Sequence, residues 1–343
     1  MGVAITELLP TQEIAIKDLA GKTLAVDGYN ILYQFLTTIR GPDGAPLSDS
    51  NGNVTSHLTG LFARTTHLLG VGIKLIFVFD GQVPDLKRKE LDRRRALKEQ
   101  ATVKYEEAKA EGDADEMKKH AARTSRLTKE MVEQAKELLD ALGVPWVQAP
   151  SEGEAQATAL VKQGHAWAIV SQDADALLYE APRIIRHLAV SGKRKLPGRQ
   201  AWTPIEPELI EHRKVLDELK LSSTQLRALA LLIGTDYNIG GVKGIGPKKG
   251  LKLVQEHGED FAALFAAVDW DAKCDVPWRE VLEVFATMPV IDPGRVEFGK
   301  VNAQAVHHLL VDRFGFSTER VERQLTTLLK SQANTQKGLG DWF

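Results

Sequence analysis

Carboxylic acids close four short apolar runs of this sequence, each at the point where a strand would end. The runs are TLAVD, IKLIFVFD, VPWVQAPSEGE and WAIVSQDAD, and the acids are Asp27, Asp80, Glu152, Glu154, Asp173 and Asp175. Asp236 follows a further apolar segment, LALLIGTD. In an open α/β sheet the carboxyl ends of parallel strands lie along one edge, where ligands bind. The pattern therefore predicts that these carboxylates converge.

Carboxylates that converge repel one another unless they are protonated or bind cations. At ~4 Å and an effective dielectric constant of ~20, one like-charge pair costs roughly 4 kcal/mol. Ligands made only of oxygen favour hard ions such as Mg²⁺ or Mn²⁺, which leave room for phosphate oxygens. Two such ions about 3.5–4 Å apart hold the attacking and leaving oxygens of a phosphodiester in line. The acids would then be metal ligands, and water would be the nucleophile.

Each acid also has a purely structural explanation. The first two could simply end strands, and the pair in SQDAD could form a turn. Ser151 and Glu154 match a capping box for the helix that follows. An acid such as Glu152 is common in a first helical turn. Single assignments therefore stay open, and the joint pattern carries the metal hypothesis.

A basic segment begins shortly after Asp80 and interrupts the alternation of strands and helices. The net charge of the chain is only −2, but seven basic residues stand against two acidic ones between Lys87 and Lys98. Lys87 and Arg94 are two helical turns apart, so a helix would place them on one face. Near metal ions they would stabilise charge on a scissile phosphate. They could equally be solvated surface charges, and spacing does not decide between these interpretations.

The stretch GVKGIGPKKG predicts a tight turn that leads into a helix. Gly244 and Gly246 supply the turn, Pro247 suits the first helical position, and Lys248 and Lys249 stand beside it. Backbone N–H groups at a helix N-terminus bind anions, and such contacts hold a phosphate backbone without reading its sequence. An ordinary Gly-Pro turn between two helices is the alternative.

Composition places the chain among ordinary globular proteins. Its 343 residues are 43% hydrophobic and 26% charged, which is typical of a folded domain with a sizeable core. Apolar runs alternate with stretches of helical spacing, which predicts an α/β fold with a mostly parallel central sheet flanked by helices. The single cysteine excludes an internal disulfide and indicates a reducing, intracellular setting. No apolar run approaches the length of a membrane span, so a membrane partner is not expected.

Six motifs carry a resemblance to a known family. They are LAVDGYNILYQFL, IFVFDG, QAPSEGEAQA, SQDADALL, LLIGTDYN and GVKGIGPKKGLKLV, in this order. In them the sequence resembles the flap endonucleases, which are structure-specific 5′ nucleases, and is most similar to their archaeal branch. The resemblance covers nearly the whole chain. One departure is Gln82 and Val83, where many members carry lysine and proline.

The resemblance implies a function and a set of partners. It implies a monomeric, Mg²⁺-dependent nuclease that cuts 5′ flaps at single-strand/duplex DNA junctions, with 5′→3′ exonuclease activity. The products would carry 5′-phosphate and 3′-hydroxyl ends, and the roles would lie in Okazaki-fragment maturation and base excision repair. The ions implied are two Mg²⁺, or Mn²⁺, and a K⁺ at a helix-hairpin-helix element.

Residue roles follow from the same resemblance. Asp27, Asp80, Glu152 and Glu154 match the family's ligands to a first metal, and Asp173, Asp175 and Asp236 match those to a second. Lys87 and Arg94 fall on the family's basic catalytic pair. Tyr33 matches an aromatic residue that stacks on the nucleotide beside the cut. The remaining DNA contacts implied are Arg40, Arg64, Glu152, Gly234, Asp236, Gly244, Gly246, Lys248 and Lys249.

The resemblance also divides the chain into segments. The nuclease fold (5′ nuclease or PIN-like) would include a helical arch insertion, through which a flap threads, and a helix-hairpin-helix element. The segments are 1–98, with the arch beginning near 81; 99–128 as the rest of the arch; 116–258, with the helix-hairpin-helix at 236–258; 259–330 as a helical part; and 331–343 as a flexible tail.

The tail resembles a motif that binds the sliding clamp (PCNA). Gln336, Leu339, Trp342 and Phe343 fit the pattern Q-x-x-L-x-x-aromatic-aromatic. Over a single helical turn the last three would present one apolar face. A disordered tail with stray aromatic residues is the alternative.

Overall fold

Two compact units make up the chain, and each is assembled from three separated stretches. The computed structural model describes residues 3–41, 44–111, 125–188, 193–195, 202–204 and 206–340. The first unit comprises Met1–Ile16, Asp80–Glu90 and Gln148–Asp292, and the second comprises Lys17–Phe79, Leu91–Val147 and Pro293–Phe343.

Strands and α-helices are numbered in chain order. The strands are β1 (Gln12–Glu13), β2 (Thr23–Asp27), β3 (Lys74–Phe79), β4 (Trp146–Gln148), β5 (Ala168–Val170), β6 (Arg183–Arg186), β7 (Lys193–Lys195), β8 (Trp202–Pro204) and β9 (Glu208–Glu211). The helices are α1 (Gly28–Thr38), α2 (Ser56–Gly70), α3 (Arg88–Glu111), α4 (Lys129–Ala141), α5 (Gly153–Lys162), α6 (His212–Leu219), α7 (Ser223–Ile233), α8 (Pro247–His257), α9 (Phe261–Ala267), α10 (Trp270–Lys273), α11 (Trp278–Thr287), α12 (Ala303–His307) and α13 (Thr318–Gly340).

The strands of the first unit run in the order β1-β9-β6-β5. β5 and β6 pair in parallel, whereas β9 is antiparallel to both β6 and β1. The described residues between β6 and β9 form the antiparallel ribbon of β7 and β8, which allows β9 to return antiparallel. The predicted α/β class, with a sheet flanked by helices, is confirmed, and the pairings of β9 make the sheet mixed.

In the second unit β3 lies between β2 and β4. β2 and β3 pair in parallel, and the register places Asp27 opposite Val78. Every residue of β3 after Lys74 is buried, as expected for a strand covered on both faces. The side chain of Asp27 then caps α1 by accepting a hydrogen bond from the N–H of Asn30 at 2.9 Å.

Helix α2 forms the packing centre of the second unit, because α1, α4 and α13 all contact it. Its approach to α1 depends on Gly60, where an added Cβ would lie 2.2 Å from Cγ of Phe35. Inside this packing, His57 is fully buried, and Gln134 of α4 is hydrogen-bonded to its Nε2 at 2.9 Å.

The segment predicted as a helix-hairpin-helix element, 236–258, contains one helix, α8, which packs against α7 of the same unit. A capping box of Ser222 and Gln225 starts α7. Pro247 opens α8 with Gly246 as its N-cap, so the predicted helix start is confirmed. Gly250 permits the two helices to pack, since a Cβ there would lie 2.9 Å from Cδ1 of Leu229.

The arch and the tail are described in part. Helix α3 runs to Glu111 within the segment predicted as an arch, and residues 112–124 lie outside the described ranges. α13 continues through Gly340, so the backbone is helical over most of the segment predicted as a flexible tail. Residues such as Ala, Gln and Lys, without proline, favour this continuation. None of the helices in the described ranges combines the length and the apolar character that a bilayer span requires.

Candidate active site

Two acid-bearing loops of the first unit are joined by their main chains. The N–H of Gly81 donates to the carbonyl of Ser151 at 2.7 Å, and that of Gln82 donates to the carbonyl of Pro150 at 3.0 Å. The hydroxyl of Ser151 donates to the carbonyl of Gln82 at 2.9 Å. These bonds bring the loop after Asp80 onto the loop that carries Glu152.

The joined loops explain the spacing of the E-G-E motif. The N–H of Gly153 donates to Oδ1 of Asp80 at 2.6 Å, and a Cβ at Gly153 would lie 2.5 Å from that same oxygen. Only glycine therefore fits between the two glutamates. The capping box proposed as a structural alternative is wrong: Glu152 is the N-cap of α5 and no side-chain capping bond forms, because the Ser151 hydroxyl is bonded to Gln82.

Lys87 lies among the carboxylates of the first unit. Its Nζ is 2.6 Å from Oε2 of Glu152 and 3.2 Å from Oδ2 of Asp236. Burial acts to lower the pKa of Lys87, but the charges of Glu152, Asp236 and Glu154 outweigh burial and raise the pKa above its usual value. The lysine is therefore a fixed positive charge at neutral pH. Of the two interpretations left open for Lys87, surface solvation is wrong, because its side chain is only 16% exposed.

Burial raises the pKa of Asp80 and of Glu152, two of the acids near Lys87. For Asp80 the desolvation is opposed by the charge of Lys87 and by the Gly153 amide. For Glu152 burial again raises the pKa, Lys87 opposes it, and the charges of Asp80 and Asp236 add to it. Asp80, Glu152 and Asp236 therefore lie close enough for their charges to act on one another.

Asp175 is a further acid whose pKa is raised. Burial, together with the charges of Asp173 and Asp236, raises its pKa to about 7, although the N–H of Val3 donates to Oδ1 at 2.5 Å and opposes the shift. The N–H of Asp173 donates to the hydroxyl of Ser171 at 3.2 Å. Sequence reasoning missed Val3, and nothing in the N-terminal sequence pattern signals this contact.

Asp236 sits in a loop that is held by its neighbours. Asn238 bonds the Thr235 hydroxyl at 2.7 Å and donates to the carbonyl of Leu231 at 2.7 Å. Gly234 has a φ of +118°, and a Cβ there would lie 2.6 Å from the nitrogen of Gly241. Gly234 therefore has a structural reason to be glycine, besides the DNA contact implied by the resemblance.

The hairpin residues also lie in the first unit. Gly244 has a φ of +86°, which favours glycine. Gly246 is extended and precedes α8. Lys248 and Lys249 are exposed, and Lys249 Nζ lies 3.4 Å from the carbonyl oxygen of Gly244. The two lysines therefore lie beside the start of α8.

The second unit holds the other candidates. The ring of Tyr33, in α1, lies under Lys98, whose Nζ is 4.8 Å from the ring centroid. Burial lowers the pKa of Lys98, and the charge of Arg94 adds to this shift. Lys98 and Arg94 thus lie close together on α3. Sequence reasoning did not single out Lys98, although it belongs to the basic segment.

Two arginines of the second unit are largely held by protein groups. Arg40 donates from Nη1 to the carbonyl of Gly44 at 2.7 Å and from Nε to that of Thr37 at 3.0 Å, and it also bonds Ser125. Arg64 lies in α2, where burial lowers its pKa.

The remaining candidates are Asp27 and the C-terminal residues. Asp27 belongs to the second unit and caps α1. Trp342 and Phe343 lie outside the described residues, as do the side chains of Gln336 and Leu339.

No preformed metal site is evident in the described ranges. No group of three or more His, Cys, Asp or Glu side chains among these residues has the arrangement that could hold an ion. The ammonium group of Lys87 bonds two of the acids, Glu152 and Asp236. The donor set is nevertheless made only of carboxylate oxygens, which fits a hard divalent cation.

Comparison with known proteins identifies the class to which this fold and acid cluster belong. Residues 3–101 match the XPG N-terminal domain, and residues 143–236 match the XPG I-region. The chain is thus a nuclease of the XPG class. Flap endonuclease 1 of Aeropyrum pernix is 46% identical over 350 residues, covering 100% of both chains. The chain belongs to the flap endonuclease family, which confirms the resemblance seen in the motifs.

Solved structures agree with this assignment. The flap endonuclease-1 from Methanococcus jannaschii matches with a TM-score of 0.75 and 41% identity, covering 97% of this chain and 100% of that chain. The catalytic core of Rad2 in complex with DNA substrate matches with a TM-score of 0.68 and 24% identity, covering 94% of this chain and 97% of that chain. The second match shows the fold alone.

Proposed function

We propose that this chain hydrolyses a phosphodiester bond in DNA that carries a 5′ flap, at the junction of single strand and duplex. The chain is a nuclease by its family, and the family is metal-dependent. The observation that carries the proposal is the carboxylate cluster of the first unit, with the ammonium of Lys87 within it. Products with 5′-phosphate and 3′-hydroxyl ends, 5′→3′ exonuclease activity, and roles in Okazaki-fragment maturation and base excision repair belong to the same proposal.

The carboxylates would hold two Mg²⁺ ions, or Mn²⁺ in their place. Asp80, Glu152 and Glu154 would serve one ion, and Asp173, Asp175 and Asp236 the other. Asp27 is included among the ligands of the first ion only because its sequence motif matches that of the family. When bound, the ions would stabilise charge on the attacking and leaving oxygens. A K⁺ ion at the helix-hairpin-helix element is part of the same proposal.

Positive and aromatic groups of the chain would hold the substrate. Lys87 and Arg94 would bind the scissile phosphate and stabilise the charge that develops on it. Tyr33 would stack on the neighbouring base, since base–aromatic stacking tolerates any sequence. The N–H groups at the start of α8, together with Lys248 and Lys249, would bind the phosphate backbone of the duplex at a distance from the scissile bond.

The C-terminal residues would bind a sliding clamp. Gln336, Leu339, Trp342 and Phe343 supply the motif, in which two aromatic side chains serve as anchors. The catalytic unit would act as a monomer, because the proposed ligands and phosphate contacts all come from one chain.

A cleavage assay tests the proposed function. An end-labelled 5′-flap duplex should be cut at its junction by the wild type with Mg²⁺, and left intact with EDTA or by Asp173→Ala. Asp271→Ala changes an exposed acid of the same unit and should cut as the wild type does. Binding of the flap duplex without metal-dependent cutting would instead identify a scaffold for DNA junctions.

A further inference from the structure

The Lys87 ammonium joins two acids that the proposed function assigns to different metal ions. Its Nζ lies 2.6 Å from Glu152, a ligand of the first proposed ion, and 3.2 Å from Asp236, a ligand of the second. Both carboxylates are largely buried, with 9% and 14% of their side chains exposed. The ammonium group therefore uses oxygen atoms that either ion would need.

An ammonium group and a divalent ion compete when they share carboxylate oxygens. Each oxygen lone pair serves one cation at a time, and two cations within a few ångströms repel each other. Removal of the lysine head leaves the acids unpaired and buried, which is unfavourable unless another cation replaces it. Lysine and metal are therefore alternative occupants of the same space.

The backbone of Lys87 is held independently of its ammonium group. It ends the 3-10 helix Asp85–Lys87, and its backbone N–H is bonded to the carbonyl of Pro84 at 3.0 Å. The four-carbon stem lets the head move while this backbone stays in place. Once released, the ammonium group needs a new anionic partner, and a phosphate oxygen of the substrate is one.

We propose that Lys87 is an exchangeable cation of the acid cluster, which fills the cluster in the free protein and is displaced when divalent metal binds. The inference rests on the proposed function, because that function supplies the metal ions. In this arrangement Lys87 offsets part of the negative charge of Glu152 and Asp236 before metal arrives, and it weakens metal binding in the absence of DNA. The displaced head is then free to bind the scissile phosphate, so that metal binding and the phosphate contact are linked.

Metal binding to the DNA-free protein tests the exchange. Isothermal titration with Mn²⁺ should give Lys87→Met an affinity about tenfold or more above the wild type. The control is Lys89→Met, because Lys89 pairs with Asp275 at 2.9 Å on the surface, where the two side chains are 70% and 83% exposed. That variant should bind Mn²⁺ as the wild type does. Equal or weaker binding by Lys87→Met would overturn the proposal.

A second measurement uses the wild type and does not depend on the folding of a variant. An amine-acylating reagent followed by peptide mass spectrometry reports the accessibility of each lysine. Saturating Mg²⁺ should increase the acylation rate of Lys87 several-fold while that of Lys89 stays constant. A Lys87 rate that Mg²⁺ leaves unchanged would show that the head is not displaced.

Failure of this inference is separable from failure of the proposed function. If the wild type cuts flap DNA with Mg²⁺ but Lys87→Met shows no gain in Mn²⁺ affinity, only the exchange is wrong. If the wild type neither binds Mn²⁺ nor cuts, the proposed function is wrong, and the exchange is wrong with it.

Discussion

The N–H of Val3 donates a hydrogen bond to Oδ1 of Asp175 at 2.5 Å, although the two residues are 172 positions apart in sequence. Burial and the charges of Asp173 and Asp236 raise the pKa of Asp175 to about 7, and the Val3 amide opposes them. A donor that stabilises the ionised carboxylate favours its charged form. The N-terminal segment therefore helps to set the charge of an acid in the cluster.

Val3→Pro removes this donor. We expect the ionised form of Asp175 to become less favourable, so that Val3→Pro binds Mn²⁺ several-fold more weakly near neutral pH, because the metal needs the charged carboxylate. Val3→Ala keeps the N–H and should bind Mn²⁺ as the wild type does. Isothermal titration of the DNA-free proteins checks this, and equal affinities for the two variants would contradict a role for the amide.

Gly153→Ala introduces a Cβ next to Asp80. Because this atom would lie 2.5 Å from Oδ1 of Asp80, the carboxylate must move and lose its bond to the Gly153 amide. We expect a loss of about 1–3 kcal/mol in the free energy of unfolding and weaker Mn²⁺ binding. Gly70→Ala is the control, since its Cβ would meet only the Ser331 hydroxyl at 3.5 Å. Urea denaturation and metal titration measure the two effects, and a Gly153→Ala variant indistinguishable from Gly70→Ala would refute the explanation.

Tyr33 is proposed to stack on a base beside the cut. Tyr33→Leu should raise KM or slow single-turnover cutting by about tenfold, because stacking contributes about 1–3 kcal/mol per base. Tyr33→Phe keeps the ring and should remain near the wild type. Equal kinetics for the leucine and phenylalanine variants would argue against stacking.

The buried side chain of His57 should make the free energy of unfolding depend on pH. Burial lowers its pKa from 6.5 to about 4, despite the opposing bond with Gln134. The unfolded chain therefore binds more protons between these pH values, and the free energy of unfolding falls as the pH drops from 6.5 towards 4. The loss should be on the order of 3 kcal/mol.

His57→Gln removes this titration and should make stability less dependent on pH across the same window. His308→Gln changes a histidine whose side chain is 76% exposed and serves as the control. Urea denaturation at several pH values gives the free energies. A slope that is the same in His57→Gln and the wild type would assign the acid sensitivity to other groups.

The C-terminal residues 336–343 are predicted to bind a partner protein and to take no part in catalysis. Deletion of residues 336–343 should abolish stimulation of cutting by the sliding clamp, because it removes both aromatic anchors. Basal cutting should stay at the wild-type rate. A double variant, Trp342→Ala with Phe343→Ala, should behave like the deletion, and stimulation that survives in both would disprove the clamp contact.

Local patterns predicted much of the fold. Strands such as β3 are short apolar runs, so their ends are visible in sequence. The helix start at Pro247 is equally local, because its turn and its first residue are adjacent. The antiparallel direction of β9 could not be predicted, because the sequence of a four-residue strand does not indicate which strands it pairs with.

Long-range pairings could not be predicted either. Lys87 bonds an acid 65 positions away, and its spacing from Arg94 suited a solvated face just as well. The Ser151 and Glu154 capping box failed because a tertiary bond to Gln82 outweighed a local preference. Lys98 over Tyr33 joins two segments whose proximity only the folded chain determines.

Main-chain hydrogen bonds join Gly81 to Ser151 and Gln82 to Pro150. They determine which substitutions these two loops can accept. Amide and carbonyl groups are common to nearly every residue type, so the connection between the two loops survives a change of side chain at position 82. The bonds at position 82 therefore do not require a particular side chain there, and Asp80 keeps its bond to the Gly153 amide. Substitutions of side chains in this loop should be tolerated because main-chain bonds hold it. Substitutions of Gly81 and Gly153 should not, because a Cβ at either position would collide with neighbouring atoms.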